Sequence, residues 1–296
     1  MNFNTKESLH SSLKSSILIL KLIVPLYILS DILLYLGWLD KISFLFEPIA
    51  SLIGLPAQTA LSLAAGVFIN IYAAIALAAP LGLSPYEWTI MGLFLGVCHS
   101  LIVESAIIKK LGISYIYSFA LRFSMGFVAV FPIKYLPKDW FVSESLKNTI
   151  KQIRYEDFWQ MLTHSFIGSL ELSFKIILLV SFIIILMDWL KSTSLIKSYS
   201  QKVSASFSIL AGLILGITYG AGVLIKEAKS GNLSRKEILF IATFLMICHS
   251  VIEDTLLFVI FGANLWVLIS FRLILASVVS FLALMLFSPP KKHKTG

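Results

Sequence analysis

Eight apolar runs, each long enough to cross a lipid bilayer, limit what this chain can fold into. A helix needs about 20 residues to span about 30 Å of hydrocarbon. The runs lie at 15–37, 58–80, 88–108, 113–133, 168–190, 205–225, 238–261 and 264–288. With 58% hydrophobic and only 14% charged residues, a water-soluble domain could not cover its own surface. The sequence therefore predicts an all-α, polytopic transmembrane bundle of about eight spanning or re-entrant helices.

The positive charge of the chain lies at the ends of these runs. The net charge is +8, and its Lys and Arg residues cluster at 109–110, 226–236 and 291–294. Clusters at the ends of spans set topology next to anionic lipid, so we expect the bilayer as partner and no nucleic acid. The first run is too long for a signal-peptide core, and we expect a retained span in the inner (cytoplasmic) membrane.

The chain reads as an internal duplication. Residues 92–112 align with 242–262 without a gap at an offset of 150, and near the start of each half the offset becomes 154. Matched pairs include Gly66 and Gly216, Glu87 and Glu237, Gly112 and Gly262, Arg122 and Arg272, His10 and His164, and Lys21 and Lys175. We therefore predict two repeats, at 1–150 and 151–296, because self-similarity over such lengths marks a repeated structural unit.

The orientation of the repeats depends on how many times each half crosses the membrane. The amphipathic segments 41–54 and 191–204 are expected at the interface. If the Gly-containing segments 58–80 and 205–225 are full spans, the repeats are parallel. If those segments are re-entrant hairpins, the number of crossings per half is odd and the repeats are inverted. The distribution of Lys and Arg does not separate the two topologies.

The best candidate site lies at the two Cys-His-Ser triplets, 98–100 and 248–250, which occupy the centres of their predicted helices. Polar groups at mid-membrane, between repeats, are where transporters bind substrates and ions. The predicted substrate-binding residues are His99, Ser100, Glu104, His249, Ser250, Asp254 and Asn70. In a regular helix Ser100 and Glu104 share a face, whereas His99 and Glu104 are about 140° apart and do not converge.

The acids also have a structural interpretation. Glu104 and Arg122 lie at similar distances on either side of Gly112, and Asp254 and Arg272 repeat this spacing. Each pair is therefore predicted to form a buried ion pair, since an unpaired charge at this depth is costly. Structural pairing and direct contact with a ligand both remain open for these four residues.

A metal site is a second interpretation of the triplets. Its predicted ligands are His99, His249, Cys98, Cys248 and Glu253. His249 and Glu253 have the i,i+4 spacing that brings two ligands together on a helix, but Val103 replaces the acid in the first half. The alternative is a structural role for these residues. The imidazoles and Asn70 could serve only as hydrogen-bonding groups between helices, and the thiols could serve as small buried apolar groups.

The motif C-H-S-x-I-x-[ED], followed by a hairpin glycine, resembles the nucleoside-recognition or "gate" domain. Segment 66–112 carries the resemblance and 216–262 is similar to a second, more diverged copy. Related gate domains occur in concentrative nucleoside transporters, in the membrane part of the bacterial ferrous-iron transporter and in spore-maturation membrane proteins. The resemblance implies inverted repeats. The chain lacks the P-loop of the iron transporter's GTPase domain and is shorter than a typical nucleoside transporter.

Three functions remain compatible with these residues. The leading prediction is transport of a small solute, nucleoside-like by resemblance, at a site between the repeats. The alternatives are divalent-cation transport, for example of ferrous iron, and a non-catalytic scaffold or accessory role. The sequence contains no H-E-x-x-H, G-x-S-x-G or P-loop, so we expect neither an enzyme nor a cofactor. A homo-oligomer is compatible with the sequence, which does not fix the oligomeric state.

Overall fold

The computed structural model describes residues 5–44, 47–141, 155–192, 213, 225 and 233–287. Within these ranges the chain is helical and contains no strand, as predicted. The α-helices are α1 (Thr5–Tyr35), α2 (Trp38–Ser43), α3 (Glu47–Leu52), α4 (Ala60–Phe68), α5 (Ile71–Ala78), α6 (Pro85–Cys98), α7 (Leu101–Lys109), α8 (Tyr115–Val130), α9 (Phe158–Ser192), α10 (Arg235–Ile247), α11 (Val251–Val259) and α12 (Leu265–Phe287).

Six segments of the described chain are long and apolar enough to cross a membrane. They are Thr5–Tyr35, Pro85–Lys109, Tyr115–Tyr135, Phe158–Trp189, Arg235–Val259 and Leu265–Leu286. The predicted span 58–80 is instead two short apolar helices, α4 and α5. Its counterpart 205–225 lies almost wholly outside the described residues, as does most of segment 191–204.

Helices α4 and α5 fold back on each other as a hairpin. Asn70 breaks the helix with an extended backbone, and its side-chain oxygen accepts from the Ala73 amide to cap α5. Across the hairpin, the Ser62 hydroxyl donates to the carbonyl of Ala74 at 2.6 Å. A Cβ added at Gly66 would lie 3.0 Å from Ala74 Cβ and 2.6 Å from Leu95 Cδ2. Close approach of the two helices therefore favours glycine at this position, since a larger side chain would have to displace Leu95 and Ala74.

The longest helices, α1 and α9, pack antiparallel. The Ser8 hydroxyl donates to Asp188 at 2.8 Å, and the Ser165 hydroxyl donates to Asp31 at 2.5 Å, so residue numbers rise along one helix as they fall along the other. In lipid there is no hydrophobic driving force for helix association. Hydrogen bonds from serine hydroxyls to the neighbouring helix therefore help to stabilise the packing. Because these two helices align at the offset of 154, their antiparallel packing favours the inverted arrangement, which remains a prediction.

Several local conformations recur at the offset of 150. Ser84 with Glu87 and Ser234 with Glu237 each form a capping box at the start of a long helix. Gly112 and Gly262 both adopt positive φ, of 82° and 89°, where the following hairpin turns. These segments share one geometry, while the repeat boundaries at 1–150 and 151–296 remain predictions because much of the second half is not described.

The α4–α5 hairpin leads to a prediction about Gly66. Replacing Gly66 with Val should lower the free energy of unfolding by about 1–3 kcal/mol, since the added atoms must displace Leu95 and Ala74. Ala64→Val, at a half-buried position on the same helix, is the matched control. Thermal unfolding in detergent measures both variants. Equal midpoints would show that the two helices do not pack this closely.

Candidate functional site

Both triplet helices break at their serine. Ser100 has φ 49° and ψ 33°, and Ser250 has φ 44° and ψ 33°; among the described residues no other non-glycine has positive φ. This left-handed conformation costs an L-residue about 1–2 kcal/mol. Such outliers concentrate at functional sites, where the surrounding structure holds them in place. The expectation of regular helices through 88–108 and 238–261 was wrong at this point.

The α4–α5 hairpin supports the first break. The Ser100 amide donates to the carbonyl of Gly66 at 2.9 Å, and the Ser100 hydroxyl donates to the carbonyl of Ile69 at 3.1 Å. These carbonyls belong to the end of α4, where helical partners run out. The tip of the hairpin and the break in the spanning helix therefore satisfy each other's backbone groups.

Arg122 closes the break from the other side. This side chain is fully buried, and it donates through Nε to the carbonyl of Val97 and through Nη2 to the carbonyl of His99, both at 2.9 Å. Its Nη1 lies 2.6 Å from Glu104 Oε2, a close charge contact that lacks the geometry of an aligned hydrogen bond. One guanidinium thus serves the C-terminal carbonyls of α6 and the acid of α7 together.

Arg272 has the corresponding place in the second half. Its Nη2 donates to the carbonyl of His249 at 2.6 Å and to Asp254 Oδ2 at 3.1 Å. Its guanidinium also lies against Gly96 of α6, where an added Cβ would be 3.1 Å from Arg272 Cζ. Both acid–arginine pairs are therefore in contact, at the positions that counting from the hairpin glycines predicts.

The helix break at Ser100 also changes which residues face Glu104. His99 Nε2 lies 3.1 Å from Glu104 Oε1, although a regular helix would keep them apart. From the second half, His249 Nε2 lies 3.2 Å from Glu104 Oε2. The two imidazole rings are 5.2 Å apart between centroids. The Cys-His-Ser triplets of the two halves therefore meet, and Glu104 lies between both histidines and Arg122.

The hydrogen bonds at Nδ1 fix the tautomer of both histidines. His99 Nδ1 is 2.7 Å from the carbonyl of Leu95, and His249 Nδ1 is 2.8 Å from the carbonyl of Leu245. A carbonyl only accepts, so each Nδ1 carries a hydrogen. Nε2 of each ring faces the carboxylate of Glu104, as an acceptor when the imidazole is neutral and as a donor when it is protonated.

The remaining predicted residues take other roles. Asn70 caps α5, and Ser100 and Ser250 form the breaks, all three being partly exposed. Cys98 and Cys248 are buried and lie outside the cluster of His99, Glu104 and His249 that the described residues form.

Glu253 also lies outside this cluster. Its Oε1 accepts a 2.7 Å hydrogen bond from the hydroxyl of Tyr72, two residues after the break in the hairpin at Asn70. The sequence reasoning did not identify Tyr72. Its position two residues after Asn70 was the available signal.

A wide groove elsewhere does not belong to this cluster. It has a volume of about 670 Å³ and is lined by the turn after α7 and the start of α10, including Ile113, Tyr117 and Arg235. His99, His249 and Glu104 are not among the residues that line this groove.

A double-mutant cycle tests the buried pair. Arg122→Met and Glu104→Leu should each destabilise the protein by about 3–5 kcal/mol, because each leaves a buried charge alone, and the double variant should be milder than their sum. Additive effects at Arg122 and Glu104 would contradict the pairing.

Comparison with known proteins agrees with this architecture. A family model described as "Gate: Nucleoside recognition" matches residues 16–133. The chain is 29% identical over 272 residues to the uncharacterized membrane protein YvoD of Bacillus subtilis (strain 168), covering 88% of this chain and 87% of that one. No solved structure matches. The protein is a multi-pass helical membrane protein whose residues 16–133 are similar to the nucleoside-recognition Gate family.

Proposed function

We propose that this protein transports a small polar solute through a site at the two helix breaks, between its halves. The observation that carries the proposal is the meeting of the breaks, with the imidazoles of His99 and His249 5.2 Å apart. Interrupted helices at mid-membrane free backbone and side-chain polar groups for a ligand, and transporters build their sites in this way. The α4–α5 hairpin adds a third interrupted segment beside them.

The polar groups next to the breaks suit a solute that both donates and accepts hydrogen bonds. Asn70, Ser100, Ser250 and Tyr72 are all partly exposed there. Tyr72 adds an aromatic face, which together with such polar groups is what a nucleoside-like molecule requires. The nucleoside-like substrate rests on this chemistry and on the description of the Gate family.

The contacts between the halves next to the breaks include two that a relative movement of the halves would break. Tyr72 donates to Glu253, and Glu104 touches His249. The acid–arginine contacts, by contrast, lie within one half. If one half rocked against the other, the contacts of Tyr72 with Glu253 and of Glu104 with His249 would break, and the acid–arginine contacts would remain. Such rocking is the alternating-access motion of repeat transporters. The inter-half contacts therefore control the balance between closed and open states.

Transport assays on Tyr72→Phe test this proposal. The wild-type protein in liposomes should take up at least one member of a radiolabelled nucleoside and nucleobase panel above protein-free vesicles. Loss of a hydrogen bond to a carboxylate, about 1.5–3 kcal/mol, should shift the open–closed balance about tenfold or more and change the uptake rate. Tyr135→Phe, at an exposed tyrosine, should transport like the wild type.

The same experiment separates transport from a non-catalytic role. Absence of uptake for every solute, with protein that remains monodisperse and folded, would contradict transport and support a scaffold or accessory protein. Equal uptake by wild type and Tyr72→Phe would place the gate elsewhere.

A further inference from the structure

We propose that His99, His249 and Glu104 bind a divalent transition-metal ion. The ligands are Nε2 of each imidazole and one carboxylate oxygen, and the ion would join the two halves of the protein. This inference goes beyond solute transport, which needs no metal at this position.

The spacing of the three groups suits a metal ion. Their ligand atoms all lie within 4.8 Å of one another. His99 Nε2 is 3.1 Å from Oε1 of Glu104, and His249 Nε2 is 3.2 Å from Oε2. A tetrahedral ion with bonds of about 2.0–2.1 Å has ligand-to-ligand edges of about 3.3 Å. Both nitrogen–oxygen distances are close to that edge length, so small side-chain adjustments would bring the two imidazoles and the carboxylate onto one ion, with a fourth position left for water or substrate.

The two imidazoles are also oriented as metal ligands are. Each donates its Nδ1 hydrogen to the backbone carbonyl four residues earlier, Leu95 or Leu245. Metal-binding histidines almost always hold the second ring nitrogen in this way, which fixes the ring and raises the basicity of the ligand nitrogen. Both halves of the protein provide this support independently.

The cluster contains buried groups with unused bonding capacity. His249 Nε2 and Glu104 Oε2 are buried and make no aligned hydrogen bond, although Oε2 keeps its charge contact with Arg122. The two atoms are 3.2 Å apart, and when the imidazole is neutral both are acceptors. A buried pair of acceptors is unfavourable. A cation between them would satisfy all three ligands at once.

The ligand types narrow the choice of metal. Two imidazole nitrogens and one carboxylate suit Zn²⁺, Fe²⁺ or Co²⁺, whereas Mg²⁺ and Ca²⁺ prefer oxygen ligands. The predicted thiol ligands Cys98 and Cys248 do not belong to this set. The predicted metal site is therefore revised to two histidines and Glu104.

Cobalt titration of the purified, tag-free and chelator-stripped protein tests the site. Co²⁺ should bind with one-to-one stoichiometry and give the intense visible absorption of a four-coordinate site, which Zn²⁺ should abolish by displacement. His99→Ala and His249→Ala should each weaken binding by at least about tenfold. His10→Ala removes an exposed histidine outside the cluster and should bind like the wild type.

The outcomes distinguish this proposal from the transport proposal, because binding is measured without uptake. Absence of Co²⁺ binding by folded wild-type protein would overturn the metal site whatever the transport result. If the His99→Ala/His249→Ala double variant bound Co²⁺ as tightly as the wild type, the ion would bind elsewhere and the proposed site would also be overturned. If these variants do not fold, ¹⁵N chemical shifts of the wild-type imidazoles decide: a doubly protonated ring unchanged by Zn²⁺ would make the cluster a proton site and contradict the proposal.

Discussion

A buried guanidinium in each half holds the central architecture together. In the first half, Arg122 binds the last carbonyls of α6 and the acid of α7, so that a helix broken in apolar surroundings keeps its backbone and charge satisfied. Removing that side chain would leave two buried carbonyls without their donor and Glu104 without its arginine, a cost greater than the strain of the left-handed Ser100. The break, the direction of His99 and the inter-half cluster all depend on this contact.

The two halves use this arrangement differently, and their acids differ in length by one methylene group. Glu104 contacts Arg122 and both imidazoles, whereas the shorter Asp254 forms an ion pair, among the described residues, with Arg272. The resulting site is asymmetric, with a single carboxylate between two histidines. Glu104 therefore lies at the interface between the two similar halves, whereas Asp254 pairs within its own half.

Much of this centre was predictable from sequence, because it depends on spacing along the chain. Counting from Gly112 and Gly262 placed each acid opposite an arginine, and the matched triplets indicated a shared centre. The helix breaks were not predictable, since apolar residues continue through 88–108 without interruption and serine is not typical of a left-handed backbone. For the same reason His99 was expected to point away from Glu104. Segment 58–80 was long enough to span, and the extended backbone at Asn70 with the Ser62–Ala74 hydrogen bond shows that it folds back.

The central claim is that both helices break at their serine and bring His99 and His249 to one carboxylate. An electron cryo-microscopy structure of the protein in lipid nanodiscs tests it most directly. The account predicts left-handed Ser100 and Ser250, arginine bound across each break, and Glu104 within about 3.5 Å of both imidazoles, within hydrogen-bond or ion-pair reach. Continuous helices through both serines, with the imidazoles more than about 10 Å apart and thus too far to share a ligand, would contradict it.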